Sequence, residues 1–218
     1  MLLSRRFVRN LVVRSSALVS VLVLVIGALH LPWARSWLRR AGGCPVPRLT
    51  AAQVEMAQAS AFLRLRGPTA AAEHPALAFA LDESTREDVV TWARERGISC
   101  EPRRDGTVLI CGDVPATEVP VGSGRGRYDE LAFGFRLRDL RLVNVAALRT
   151  GLSAAEAERE LRRISARLEM ALGAPAAKIE GDPAVVVHRH SDYLAEVSAM
   201  SLRGRGHALR EHYMSAPR

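Results

Sequence analysis

Histidine is the residue type in this sequence best suited to chemistry, because four of the six histidines lie within the last 31 residues. They are His188, His190, His207 and His212. In an extended strand His188 and His190 point to the same side, as metal ligands often do, and Glu196 or Glu211 could complete a site. A metal-dependent hydrolase using these histidines is one functional hypothesis. Their spacing matches no recognised metal motif, so we predict no bound metal and no cofactor.

Nucleophilic catalysis has weaker support. Neither the G-x-S-x-G elbow of α/β-hydrolases nor the H-E-x-x-H helix of zinc proteases occurs in the sequence. Ser191 follows His190, but the sequence supplies no third group that would orient the histidine, as a triad requires. The glycines from Gly122 to Gly126 neither follow a clear strand nor open a helix, as phosphate-binding loops do. We therefore predict no catalytic residues, and a binding protein rather than an enzyme.

Two of the three cysteines flank a turn signal. Asp105-Gly106 is a preferred pair for a two-residue hairpin turn, and pairing about it places Cys100 directly opposite Cys111. Opposed β-carbons lie about 4.5–5.5 Å apart, close to what a disulfide bond tolerates. Counting from this turn places the two cysteines at a hydrogen-bonded residue pair, the type with the wider Cα–Cα spacing, unless a bulge shifts the register. We predict a Cys100–Cys111 disulfide, which leaves Cys44 free or paired with another chain.

An apolar stretch near the N-terminus decides where the rest of the chain resides. Ser15 to Ala34 contains no charged residue and is just long enough to cross a bilayer core of about 30 Å as a helix. Arginines flank both ends, and Trp33 and Trp37 lie at its exit. Three interpretations remain open: an uncleaved signal anchor with its N-terminus inside, a cleaved signal peptide, and a buried helix of a soluble protein. The anchor is favoured, because Arg35 interrupts the small-residue pattern that cleavage needs.

The net charge of +8 belongs to the N-terminal segment. Residues 1–40 carry seven arginines and no acidic residue, whereas the remaining 24 basic and 23 acidic groups nearly balance. A folded part without basic excess lacks the usual driving force for binding phosphate backbones, so we predict no nucleic-acid partner. The basic N-terminus suits a cytoplasmic face beside anionic lipid. An export signal followed by two facing cysteines indicates an oxidising compartment.

The sequence divides into four segments. We predict a basic cytoplasmic tail over residues 1–14, a transmembrane signal anchor over 15–34, a linker over 35–74 with a helix near 51–65, and an extracytoplasmic domain over 75–218. Capping boxes at Thr50, Ser84 and Ser153 begin three helices. The third helix has the most regular apolar stripe. The stripe consists of Ala157, Leu161, Ile164, Leu168 and Ala171.

Alternation of apolar and polar residues predicts the strands. They cover Ala76 to Leu81, the cysteine hairpin, Leu131 to Leu137, Leu140 to Leu148, Ala184 to Arg189, Tyr193 to Leu202 and Ala208 to Met214. The predicted fold class is α+β, an antiparallel sheet with two main helices packed on one face. A weak pattern of strand, capped helix and hairpin predicts two repeats. The pattern is similar to β-lactamase-inhibitor and outer-membrane-assembly lipoprotein folds, an analogy that implies no function.

These features favour a bacterial envelope protein, and the composition, rich in arginine and alanine, is typical of GC-rich bacterial genomes. We expect a single-pass protein of the inner membrane whose C-terminal domain lies in the periplasm or elsewhere outside the cytoplasmic membrane. The domain is expected to be a non-catalytic binding or assembly module, with the membrane and an envelope protein as partners. The sequence identifies no small-molecule ligand. The alternatives are the metal-dependent hydrolase and a secreted, inhibitor-like domain released by signal cleavage.

Overall fold

The computed structural model describes residues 50–119 and 126–216. The α-helices in these ranges are α1 (Ala51–Leu65), α2 (Arg86–Glu95) and α3 (Ala154–Leu172). The strands are β1 (Pro75–Ala76), β2 (Phe79–Ala80), β3 (Cys100–Arg103), β4 (Val108–Pro115), β5 (Arg127–Phe135), β6 (Leu142–Leu152), β7 (Ala177–Ile179), β8 (Ala184–Arg189), β9 (Tyr193–Leu202) and β10 (Gly206–Ser215).

Eight strands form one antiparallel sheet in the order β3-β4-β5-β6-β10-β9-β8-β7. The α+β class with an antiparallel sheet is therefore confirmed. Strands β3 to β6 follow one another as a meander after α2, and β7 to β10 do the same after α3. The pairing of β6 with β10 joins the two meanders at the centre. Strands β1 and β2 form a separate small hairpin.

Side-chain caps begin all three helices. The predicted boxes at Thr50 with Gln53 and at Ser153 with Glu156 are confirmed. The prediction of a box at Ser84 was wrong by one residue, because Thr85 caps α2 together with Asp88. The Ser84 hydroxyl instead accepts a hydrogen bond from the Ala80 N–H at 3.2 Å, which closes the turn before the helix.

The strand predictions differ from the structure in two places in the first half of the domain. The strand expected over Ala76 to Leu81 is two two-residue strands, because Leu77 adopts a φ of 56° and turns the chain. The hairpin of β5 and β6 is longer than expected and reaches back to Arg127. In the C-terminal third, β8, β9 and β10 agree with the predicted strands, whereas the three-residue β7 was missed.

The larger of two core clusters contains buried side chains from the sheet and from both α2 and α3. Helix α2 contributes Trp92 to this core, and α3 contributes four residues of the predicted stripe. They are Ala157, Leu161, Ile164 and Leu168. Trp92 and Phe133 meet edge to face with ring centres 6.0 Å apart, a favoured aromatic geometry.

Helix α1 contributes to a second, smaller core cluster. Phe62 packs there with Val187, Leu194 and Met214. Because side chains alternate across a strand, Val187 lies on the opposite face of the sheet from its neighbour Val186, which belongs to the larger core. Phe62 thus attaches the last turns of α1 to the face of this half of the sheet that lies opposite the larger core.

None of the helices in the described ranges is both long enough and apolar enough to cross a membrane. The predicted span over residues 15–34, Cys44 and most of the glycine-rich segment after Pro120 lie outside those ranges.

Replacing Phe62 with alanine should destabilise the protein by about 3 kcal/mol, because Phe62 is 1% exposed and its removal leaves a cavity beside the sheet. Leu63→Ala is the matched control, since Leu63 is 56% exposed, and should change the free energy of unfolding by less than about 0.5 kcal/mol. Denaturant unfolding of both variants measures the difference. Equal effects would contradict the packing of α1 on the sheet.

Candidate functional site

The predicted cysteine pair is confirmed. Cys100 and Cys111 lie directly opposite each other on β3 and β4, with their sulfur atoms 2.00 Å apart. The predicted turn length was wrong, because the loop holds four residues and Arg103 with Val108 forms the first pair. The alternation of wide and narrow sites therefore shifts by one pair, and the cysteines occupy a narrow site with a Cα–Cα distance of 4.1 Å.

The structure does not bring the four C-terminal histidines together. His188 is buried on the face of β8 that belongs to the larger core, and His190 follows in the turn after β8. His207 lies at the start of β10, and His212 contacts the Asn144 amide across the strands at 3.0 Å. Within the described ranges, no group of three or more His, Cys, Asp or Glu residues is arranged to hold a metal ion.

His188 has the environment of a neutral core histidine. It is 0% exposed, and neither ring nitrogen has a hydrogen-bond partner among the described residues. Burial lowers the pKa of His188, the nearby His190 lowers it further, and Glu169 on α3 acts in the opposite direction. The prediction that His188 and His190 hold no metal stays a prediction.

A buried carboxylate, which the sequence analysis considered only as a metal ligand, lies at the centre of a polar network beneath α3. Glu211 is 1% exposed and accepts hydrogen bonds from the Tyr128 hydroxyl at 3.3 Å and the Tyr213 hydroxyl at 2.5 Å. Arg167 on α3 donates to the Tyr213 hydroxyl at 3.3 Å. Burial raises the pKa of Glu211, and Tyr213 and Arg167 partly offset that rise. The network ties α3 to the two strands that carry the tyrosines.

A second buried network fixes the segment before β1. The His74 ring lies between two carboxylates, with Nδ1 3.5 Å from Asp82 and Nε2 3.2 Å from Asp192, and it stacks on Tyr193. The Ala71 N–H also donates to Asp192 at 2.8 Å. Burial opposes ionisation of Asp192, but the Ala71 N–H and His74 outweigh it, so the pKa of Asp192 is lowered. These contacts attach the segment before β1 to the turn between β8 and β9.

A cavity of about 180 Å³ lies at the N-terminal end of α3. Its apolar lining comes from the first turns of α3 and from β8 and β9. Ala154, Ala157, Leu161, Ala184 and Ala199 form this lining. The alanines create the space, because each is shorter than the side chains that fill the neighbouring core. The sequence analysis placed Ala157 and Leu161 in the helix stripe but gave no signal for the cavity.

Three polar residues border the same cavity: Glu158, Asp182 and His207. Asp182 accepts hydrogen bonds from the Ser201 N–H at 2.9 Å and the Ser201 hydroxyl at 2.5 Å. The hydrogen bond from the Ser201 hydroxyl lowers the pKa of Asp182 most, and the Ser201 N–H and the nearby His207 lower it further. Asp182 is therefore ionised at neutral pH. Ser201 lies opposite His207 in the β9–β10 ladder. Its hydroxyl donates to Asp182, however, and this is not the serine-to-histidine contact that nucleophilic catalysis needs.

No protein family, no curated protein and no solved structure matches this chain.

Replacing His188 with leucine should make the protein less sensitive to acid. The folded wild type resists protonation of His188, whereas the unfolded chain accepts a proton there as pH falls through about 6.5. The free energy of unfolding is therefore unaffected by His188 above that pH and decreases below it by at most about 1.4 kcal/mol per pH unit. Denaturant unfolding between pH 7.5 and pH 5 should show a shallower decline for His188→Leu. His188→Gln, which also removes the titration, should share that slope. Parallel curves for wild type and variants would contradict a buried, neutral His188.

Proposed function

We propose that this chain is a membrane-anchored binding module of the bacterial envelope, with a non-catalytic domain outside the cytoplasmic membrane. The cavity at the N-terminal end of α3 carries the proposal, since it is concave, mostly apolar and bordered by a few fixed polar groups, as binding sites commonly are. Its volume of about 180 Å³ is below the usual range for small-molecule sites. It suits a single side chain of a protein partner better than a whole cofactor.

Two features support the location. The apolar stretch from Ser15 to Ala34 has the length of a membrane span and arginines at both ends. Cys100 and Cys111 lie at disulfide distance, and such bonds persist in oxidising compartments. Cleavage of the N-terminal segment, the alternative that the sequence leaves open, would release the same domain and leave its binding surface unchanged.

The order of elements supports the predicted duplication in a modified form. We infer two repeats that each consist of one helix followed by a four-stranded meander, α2 with β3 to β6 and α3 with β7 to β10. Both helices supply buried residues to one core cluster, as expected of helices on one face. The cavity belongs to the second repeat only, so the two halves are not equivalent in function.

A photo-crosslinking amino acid at Ala154, on the rim of the cavity, should form one discrete adduct with a partner protein in intact cells. Ala154 is exposed and lines the cavity, so a side chain bound there would lie within reach. The same amino acid at Asp105, on the tip of the β3–β4 hairpin, is the matched control and should form none. Denaturing gels of the purified full-length chain measure both.

Filling the cavity provides the decisive comparison. Ala184→Leu in the Ala154-labelled protein should abolish the adduct, because the larger side chain occupies the space that the partner needs. An adduct that persists in this variant, or one that forms equally from Asp105, would contradict binding at the cavity.

A further inference from the structure

We infer that the cavity at the N-terminal end of α3 receives an aliphatic chain that ends in a cation, the chemistry of a lysine or arginine side chain. This inference rests on the proposed binding function and specifies its ligand class. It follows from the sign of the charge at the rim, the apolar character of the wall and the size of the space.

Two of the three polar residues at the rim of the cavity, Glu158 and Asp182, are carboxylates, and the third is His207. Asp182 is ionised and held in place by its two hydrogen bonds from Ser201. Glu158, the second carboxylate, forms an ion pair with Arg162. Across residues 50–119 and 126–216, no arginine or lysine forms an ion pair with Asp182, and the positive group that acts on its pKa is His207. A bound ammonium or guanidinium group would form an ion pair with Asp182.

The positive end of α3 does not reverse this preference. A helix N-terminus attracts anions through its unpaired N–H groups and its dipole. In α3 the Ser153 hydroxyl accepts from the Glu156 N–H, and the Glu156 carboxylate accepts from the Ser153 N–H. The hydrogen bonds from Ser153 lower the pKa of Glu156, which is therefore ionised and balances the dipole. The helix end is thus already compensated by the protein's own carboxylate.

The wall of the cavity suits a methylene chain. Ala157, Leu161 and Ala199 are each less than 10% exposed and present only carbon to the space. Lysine and arginine side chains bury their aliphatic stems on apolar surface while the charged end stays near water. Asp182 lies at the border of the cavity, where such an end would emerge. A short anion has no stem for this wall, and a neutral aliphatic chain makes no use of Asp182.

Methyl NMR spectroscopy of the full-length chain in lipid nanodiscs tests the inference directly. Four alanine methyl groups line the cavity, so alanine-methyl labelling reports on it from inside. N-acetyl-lysine amide should shift these signals saturably, about threefold to fivefold more tightly than its neutral analogue N-acetyl-norleucine amide. Glutarate should leave them unchanged. Equal affinities for the lysine and norleucine probes, or tighter binding of glutarate, would overturn the inference.

Two carboxylate variants identify the group responsible. Asp182→Asn should reduce the affinity for the lysine probe to that for the norleucine probe. Glu180→Gln is the matched control. It also removes one negative charge, only two residues from Asp182, but the Glu180 side chain does not line the cavity. It should leave the affinity unchanged. Loss of binding in both variants, or in neither, would overturn the role of Asp182.

Two further results distinguish a free amine from a protein side chain as the ligand, and distinguish failure of the cation inference from failure of the proposed binding function. Pentylamine, which has the same methylene chain and a single ammonium group without a peptide backbone, should bind as the lysine probe does if the ligand is a free amine. It should bind more weakly if backbone contacts of a partner protein contribute, and either result retains the cationic ligand class. If no probe shifts the methyl signals but the crosslink at Ala154 still forms, the cation inference fails and the proposed binding function stands. Loss of the crosslink as well would remove both.

Discussion

The antiparallel pairing of β6 with β10 is the contact on which the rest of the structure depends. Within each meander, neighbouring strands are also neighbours in sequence, whereas β6 and β10 are separated by α3 and three strands. Seven residue pairs, from His207 with Leu152 to Met214 with Asn144, hold them together. Without this pairing the chain would form two four-stranded sheets with additional open edges, and a single core could not extend beneath both α2 and α3.

The same pairing determines which side chains meet beneath α3. It places Glu211 beside Ala147, where the small neighbour leaves room for the carboxylate and for the tyrosine hydroxyls that satisfy it. Because Tyr128 belongs to β5 and Glu211 to β10, their hydrogen bond connects the two meanders. The β9–β10 ladder then sets His207 against Ser201, and Ser201 fixes Asp182 at the rim of the cavity. The polar network beneath α3 therefore depends on the register of β6 with β10, and the binding chemistry that we propose depends on the register of β9 with β10.

Features set by neighbouring residues could be predicted, and features set by distant contacts could not. The caps at Thr50 and Ser153 and the facing cysteines depend on residues at most 11 positions apart, and the sequence patterns predicted them. The cavity and the burial of Glu211 depend on how β6, β8, β9 and β10 assemble, which no local pattern reports. One signal was available. Leu209, Glu211 and Tyr213 are two positions apart in β10 and therefore lie on the same face, so a strand that buries Leu209 and Tyr213 must also bury Glu211. The histidines that cluster in sequence form no group of three or more metal ligands among the described residues, because His188 faces the larger core, His190 lies in the turn after β8 and His212 contacts Asn144.

The state of Cys100 and Cys111 in bacterial cells that express the full-length chain tests the central claim, that the folded domain lies outside the cytoplasm. Cys111 is fully buried, so the protein must be denatured without reductant before alkylation, to prevent burial alone from protecting the thiol. Mass spectrometry of the peptides should then find both cysteines unmodified and joined, and both should become alkylated only after reduction. Alkylation of both cysteines before reduction would contradict an oxidising location for the domain and, with it, this account of the protein.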